Sequence, residues 1–268
     1  MRIRALVLAA SGAVALSALA VPAAQAAPTG PAVTFSDVKV NSGKSVVVGN
    51  TTMVTVNATY TVKKPASLSA GSFLSAPVLY RGTTITPNDN ERTWTGDNPG
   101  TCTESSSTVL KCQATFQFPP EPGVGYTGLT NNHAGTWKIG AIAVDTTNGS
   151  ITFQGGFGTT TLQRKATLTA NAAPEPVKKG KTITVTGNLA RADWDTNTNA
   201  GYASQSVKLQ FKKKGTTAYT TVKTIKSGST GGLKTTVKAT ADGYFRYVFV
   251  GTTTASAVTS AADFIDVK

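Results

Sequence analysis

Residues Ala239 to Gly251 read A-T-A-D-G-Y-F-R-Y-V-F-V-G, a turn signal at Asp242-Gly243 that runs straight into the most aromatic-rich stretch of the chain. Aromatic and β-branched side chains suit a pleated, half-buried surface, so Tyr244 to Val250 is expected to form a strand. The same order of side chains occurs upstream. Gly135-Thr136-Trp137-Lys138-Ile139 matches Gly243-Tyr244-Phe245-Arg246-Tyr247 in its glycine, its aromatic two places on, its base and its following large apolar residue. Two copies of one kind of β unit are expected. The composition agrees: Thr, Val, Ala and Gly are abundant and helix-favouring charged residues sparse, which points to an all-β protein. At 268 residues the chain has room for one or two domains with sizeable cores.

Further strands follow from period-2 patterning. Val54, Val56, Ala58, Tyr60 and Val62 alternate with Thr55, Asn57, Thr59 and Thr61, one face dry and the other wet. Lys63-Lys64-Pro65 ends that run, since proline cannot donate into a central ladder. Val33 to Asn41, Phe73 to Tyr80 and Ala114 to Phe118 are expected strands, and Thr83 to Gly100, dense in Asn, Asp, Thr and Pro, is expected to be a long loop. The long strand through Trp137 should place that indole in a core, and Asn148-Gly149 supplies a hairpin turn into Ile151. Past Arg164-Lys165 the strand signals are Lys181 to Gly187, Ser206 to Phe211, Tyr219 to Ile225, Leu233 to Ala239, Tyr244 to Val250 and Ala262 to Val267. Turn signals separate them at a spacing suited to a β-sandwich.

The first residues speak to location. Arg2 and Arg4 precede an apolar run from Ala5 to Ala20 and a small-residue site at Ala24-Gln25-Ala26, the pattern of a secretory signal peptide over residues 1–26. No later run of about twenty apolar residues could span a bilayer, so no membrane insertion is expected. Position 27 is Ala rather than the Cys of a lipid anchor, and the C-terminal residues lack a sortase-type tail. The expected product is secreted and extracellular. Its charge is strongly basic: +13 overall, and +11 once Arg2 and Arg4 are removed. That favours anionic surfaces such as teichoic-acid-like wall polymers. Nucleic acid is not the expected partner, because the bases are scattered and secretion removes the usual target.

The search for chemistry is short. Cys102 and Cys112 are the only cysteines, and an even, minimal count in a secreted chain reads as one disulfide. His133 is the only histidine, read as a surface loop residue, and no Gly-x-Ser-x-Gly elbow accompanies it. Zinc lacks ligands. The close carboxylate pairs, Asp193/Asp195 and Asp263/Asp266, do not suggest a glycosidase, and the second pair reads as solvated. In Asp193-Trp194-Asp195-Thr196-Asn197-Thr198-Asn199, oxygen-bearing side chains recur at every second residue. This is either an ordinary polar loop or a calcium site with Asp193, Asp195 and Asn197 as ligands; an EF-hand would need Gly at Thr198 and Glu at Ser204. Lys212, Lys213 and Lys214, with Lys223, Lys226, Lys234 and Lys238, read either as a solvated face or as a polyanion contact. The aromatics interleaved with them look too few for a stacking platform.

Gly187-Asn188-Leu189, Val207-Lys208-Leu209-Gln210-Phe211 and the run from Asp242-Gly243-Tyr244-Phe245-Arg246-Tyr247 to Asp266-Val267-Lys268 resemble the Ig-like modules of secreted actinobacterial proteins. In those modules a G-x-L strand, a V-x-L-Q strand and a final G-x-(Y/F)-R strand recur. The resemblance covers about the last hundred residues, and Ala134 to Asp145 with Asn148-Gly149 looks like the corresponding strand pair of another such repeat; with the strand reading it implies two tandem Ig-like antiparallel β-sandwiches, at 27–165 and 166–268, and it brings no catalytic motif. The expected protein is a non-enzymatic binding or structural module that associates with the cell envelope, an anionic polymer or an extracellular protein. The alternatives are a calcium-stabilised module and an inhibitor of secreted hydrolases acting through Thr83 to Gly100.

Overall fold

The computed structural model describes residues 30–86, 89–122 and 127–268. The expected signal peptide lies outside the described residues. Among those described, the regular structure is β-strand, with single-turn 3-10 helices at Asn41–Gly43, Ala70–Ser72 and Asn131–His133, so the chain is all-β. It divides into two compact units that interleave along the sequence. The first gathers the described residues up to Val46, then Val54–Phe118 and Thr136–Thr161; the second gathers Val47–Met53, Pro119–Gly135 and Leu162–Lys268.

The strands of the first half are β1 (Thr34–Val40), β2 (Val46–Val48), β3 (Val54–Lys63), β4 (Phe73–Tyr80), β5 (Thr93–Thr95), β6 (Thr101–Ser106), β7 (Val109–Phe118), β8 (Gly135–Asp145), β9 (Ile151–Gln154) and β10 (Thr159–Arg164). They make two sheets, ordered β1-β3-β7-β6 and β2-β10-β8-β4-β5, with β9 beside β8. The alternation read in β3 is realised as far as Tyr60: Val56, Ala58 and Tyr60 are buried, while Thr55, Asn57 and Thr59 face water; Thr61, read as wet, is buried like Val62, its hydroxyl bonded to Lys111 and Asp37. Tyr60 ties the two sheets by donating its hydroxyl to the Ser75 carbonyl at 2.9 Å. Trp137 on β8 is 1% exposed, as its place in the motif implied. The disulfide joins Cys102 and Cys112, directly opposed on β6 and β7. The polar stretch after β4 is not wholly loop. β5 adds to the edge of β4, and Trp94 is buried, stacked on Phe118 at 5.8 Å. A lone tryptophan among polar residues carries no periodicity, so the short strand around it left no pattern to read.

The second half supplies β11 (Ala166–Leu168), β12 (Asn171–Ala173), β13 (Thr182–Asp193), β14 (Thr198–Gly201), β15 (Ser206–Lys213), β16 (Thr220–Lys226), β17 (Gly232–Lys238), β18 (Gly243–Phe249), β19 (Val258–Thr259) and β20 (Asp263–Ile265). One sheet is built on β13, which pairs with β11, β12, β14 and β17; the other runs β16-β15-β18, with β19 and β20 on β18. Their inner faces meet in one core. Ile183, Val185, Leu189 and Leu233 pack from the first sheet, and Val207, Leu209, Phe245, Tyr247 and Phe249 from the second. That is the arrangement of a β-sandwich. Strand β13 continues through Gly187 rather than ending there. At Gly187 a Cβ would stand 2.2 Å from the Thr169 carbonyl oxygen, so the glycine admits the link between β11 and β12 at close approach and is not a stop.

A cation and aromatic face on the second unit

In β18 the residues alternate strictly: Phe245, Tyr247 and Phe249 are buried, and Tyr244, Arg246 and Val248 lie on the outer face. Register aligns that face with its neighbours. Tyr244 stands opposite Lys212 on β15 and opposite Phe264 on β20, and Arg246 stands opposite Gln210. Phe264, Tyr244 and Lys212 therefore form a row across three strands, and Tyr219, at the mouth of β16, extends it.

The contacts within the row are short. The Tyr244 and Phe264 rings lie 5.2 Å apart. The Lys212 ammonium sits 4.9 Å from the centroid of Tyr244 and 5.2 Å from that of Tyr219. The Arg246 guanidinium lies 3.6 Å over the Tyr219 ring, and its Nε donates to Gln210 Oε1 at 2.9 Å. Lys214 lies 5.4 Å from the Phe264 centroid and pairs at the rim with Asp242 at 3.6 Å. A cation over a ring is held by the ring quadrupole at about 0.5–1 kcal/mol when exposed. The consequence is pre-ordering. Among the described residues no carboxylate pairs with Lys212 or Arg246, and the Arg246 terminal nitrogens have no hydrogen-bond acceptor. Their positions are fixed by rings, and their charge is left for an anion.

The expected lysines are thus only partly brought together. Lys212 belongs to the row and Lys214 to its rim. Lys213 is exposed at the strand end, and by strand alternation it faces away from Lys212. The run is not simply a turn, because Lys212 and Lys213 are the last residues of β15. Lys223 and Lys226 lie on the edge strand β16, whereas Lys234 and Lys238 lie on β17 in the opposite sheet. The aromatic partners escaped the sequence because Tyr219, Tyr244 and Phe264 are spread over many positions and meet only through sheet register. From residue 162 to 268 there are sixteen Lys and Arg against six Asp and Glu, a net +10 that carries most of the chain's charge.

The acidic loop has a different geometry. Asp193 ends β13 and Asp195 lies in the turn to β14, and both turn onto Asn131. The Asn131 amide nitrogen donates to Asp193 Oδ1 at 3.0 Å and to Asp195 Oδ2 at 2.6 Å, while the Asn131 backbone N–H donates to Asp195 Oδ1 at 3.0 Å. Asp193 Oδ1 also accepts from the N–H groups of Asp195 and Thr196. On its other side, Asn131 Oδ1 accepts from Arg164 Nη1 and from the Trp194 N–H. The amide thus fills the space between the two carboxylates. Asn197, with φ of 54°, gives its carbonyl to the Asn50 side chain, and its own Oδ1 is buried without a partner. Among the described residues no group of three or more His, Cys, Asp or Glu is placed to hold a metal.

His133 is not a surface residue. It is 1% exposed at the end of the turn Asn131–His133, and its Nδ1 accepts the Thr130 N–H at 2.8 Å, a local cap that folds the imidazole inward. Asp263 is not fully solvated either: its Oδ2 accepts the Ala172 N–H at 2.7 Å.

No family model matches this chain, and no curated protein matches it. Among solved structures it is similar to dimeric latent PorU from Porphyromonas gingivalis, at 11% identity over 88% of this chain with a TM-score of 0.30, and it spans only 20% of the PorU chain. It is similar to the fibronectin(III)-like modules of Clostridium thermocellum CbhA, at 12% identity over 88% of this chain and 94% of that one, TM-score 0.30. It is also similar to the Yersinia pseudotuberculosis adhesin InvE, at 12% identity over 87% of this chain and 58% of that one, TM-score 0.28. Likeness at this level assigns neither an activity nor a partner.

Proposed function

We propose that the chain is a secreted, non-catalytic binding protein of two Ig-like sandwiches, and that its second unit docks on an anionic extracellular polymer, a cell-wall polymer foremost. The observation that carries this reading is the pair Lys212 and Arg246, held over aromatic rings on an outer sheet face with no carboxylate partner. An unpaired, pre-positioned cation attracts an anion without first breaking an ion pair or ordering a long side chain, the two costs that weaken ordinary surface pairs. The net +10 from residue 162 onward adds a field that gathers polyanions toward the face.

The test is a pull-down of the chain from Ala27 onward on purified cell wall, at low and at high salt. Retention at low salt, released at high salt and lost in the double variant Lys212→Ala/Arg246→Ala, is the expected result. Absence of retention on any anionic envelope fraction would sink the reading.

A further inference from the structure

The outer face of the β16-β15-β18-β20 sheet offers more than charge. Bare attraction to a polyanion needs only cations, yet here three rings share the face with two cations: the row runs Phe264, Tyr244, Lys212, Tyr219, with Arg246 laid over the last. Tyr219, Tyr244 and Phe264 are each half-buried, so each leaves ring surface at the water boundary. Such a surface takes a ligand whose own units carry a flat apolar face and an anion together. A polyphosphate or polyol-phosphate chain has the anion without the face, and a neutral glucan has the face without the anion. A polysaccharide of uronic acids has both: each pyranose ring presents a plane of C–H groups, and each carries one carboxylate. The spacing also suits a repeating ligand, because residues opposed on neighbouring strands recur at about 4.8 Å across the sheet. The Arg246 guanidinium, with Nε held by Gln210 and its terminal nitrogens unbound, is oriented for a planar carboxylate.

Building on the reading of the second unit as a polyanion-binding module, we infer that its ligand class is a uronate-bearing polysaccharide that crosses the strands, sugar rings on Phe264, Tyr244 and Tyr219 and carboxylates on Lys212 and Arg246. The rings orient the sugars, and the cations select the acidic ones.

The experiment compares three probes with the chain from Ala27 onward by calorimetry at one fixed moderate salt: polygalacturonate, inorganic polyphosphate matched in charge, and dextran. The expected result is binding of polygalacturonate at least about tenfold tighter than polyphosphate, with no binding of dextran. Tyr219→Ala and Tyr244→Ala should each weaken polygalacturonate by about tenfold and polyphosphate by clearly less, because both probes lose the ring support of Lys212 and Arg246 but only polygalacturonate also loses a sugar contact. Tyr244→Leu keeps apolar bulk without a flat ring, so it serves if the alanine variant does not fold. Polyphosphate binding as tight as polygalacturonate, or ring variants that weaken both probes alike or neither, overturns the uronate inference while the electrostatic reading stands. No binding of either polyanion overturns both.

Discussion

Asn131 does at residue scale what a cation would do in a calcium loop: it stands between Asp193 and Asp195 and satisfies oxygens of both. It also accepts from Arg164, whose side chain is buried at 6% exposure and whose Nε is already without a partner. Burial lowers the Arg164 pKa and Arg191 adds to that, while Asp193 and Asp195 oppose it. Replacing Asn131 by Ala would leave a buried guanidinium with no side-chain acceptor, at a cost of about 2–3 kcal/mol, measurable by chemical denaturation. Calcium should leave the melting temperature unchanged, because the two carboxylates it would need, Asp193 and Asp195, already accept from the Asn131 amide; a calcium-dependent rise would refute this account. The pH dependence has a definite sign. Burial alone would raise the Asp193 carboxyl, but donors from Asn131, Thr196 and Asp195 outweigh it and hold the group below its ordinary 3.8. A lowered folded-state pKa stabilises fully above the unfolded value, and that contribution is lost as pH falls through the folded one. The acid limb of the stability curve, below about pH 4, should therefore be shallower in Asn131→Ala than in the parent chain.

Strands announced themselves wherever one face was dry and the other wet. β3, β15 and β18 were legible because Val56, Ala58 and Tyr60, or Val207 and Leu209, or Phe245, Tyr247 and Phe249, recur at every second position. Elements stabilised by something other than alternation were not. β5 rests on one buried indole, the two-residue β19 on its pairing with β18, and β13 runs past a glycine that looked like an end. The recurring motif was legible, but its consequence was not: in each copy the base lies over a tyrosine reached across the sheet, Lys138 over Tyr80 at 5.8 Å and Arg246 over Tyr219 at 3.6 Å. Gly187→Ala tests the close approach of the Thr169 backbone to β13. The new methyl meets the Thr169 carbonyl, and a loss of about 3 kcal/mol is expected from overpacking. Cys102→Ser/Cys112→Ser opens a link between residues 10 apart and should cost about 3 kcal/mol by the chain-entropy model, with hydrogen-exchange protection lost first in β6. Tyr60 and Tyr247 report on the sandwiches from the alkaline side. Burial pushes both hydroxyls up to about 12, partly offset at Tyr60 by the Ser75 and Gly100 contacts. An acid with a raised folded-state pKa holds its proton longer when folded, so stability falls as pH climbs from the unfolded value near 10 toward 12. Tyr247→Phe should lose about 1 kcal/mol at neutral pH with its bond to the Val185 carbonyl, and should flatten the alkaline decline.

For the molecule as a whole, the question is whether its charge acts as a diffuse field or through one face. A net +10 between residues 162 and 268 would draw any polyanion toward the second unit, and by itself that attraction is indifferent to which lysine is removed. The two possibilities separate in a matched pair of double variants. Lys212→Ala/Arg246→Ala and Lys234→Ala/Lys238→Ala each subtract two positive charges from the same unit, but the first pair lies among rings on the β15-β18 sheet and the second on β17 in the opposite sheet. If the field alone governs binding, both variants lose affinity equally, and both losses vanish near 1 M salt, where the screening length falls to about 3 Å. If the face governs it, the first variant loses far more than the second at about 0.15 M salt, where charges beyond roughly 8 Å of a bound anion are already screened. The larger loss is expected for Lys212→Ala/Arg246→Ala, because of the two pairs only Lys212 and Arg246 lie over rings on one face, with no carboxylate partner among the described residues. Equal losses would return the basic charge to a solvating role and leave the row of rings without a ligand.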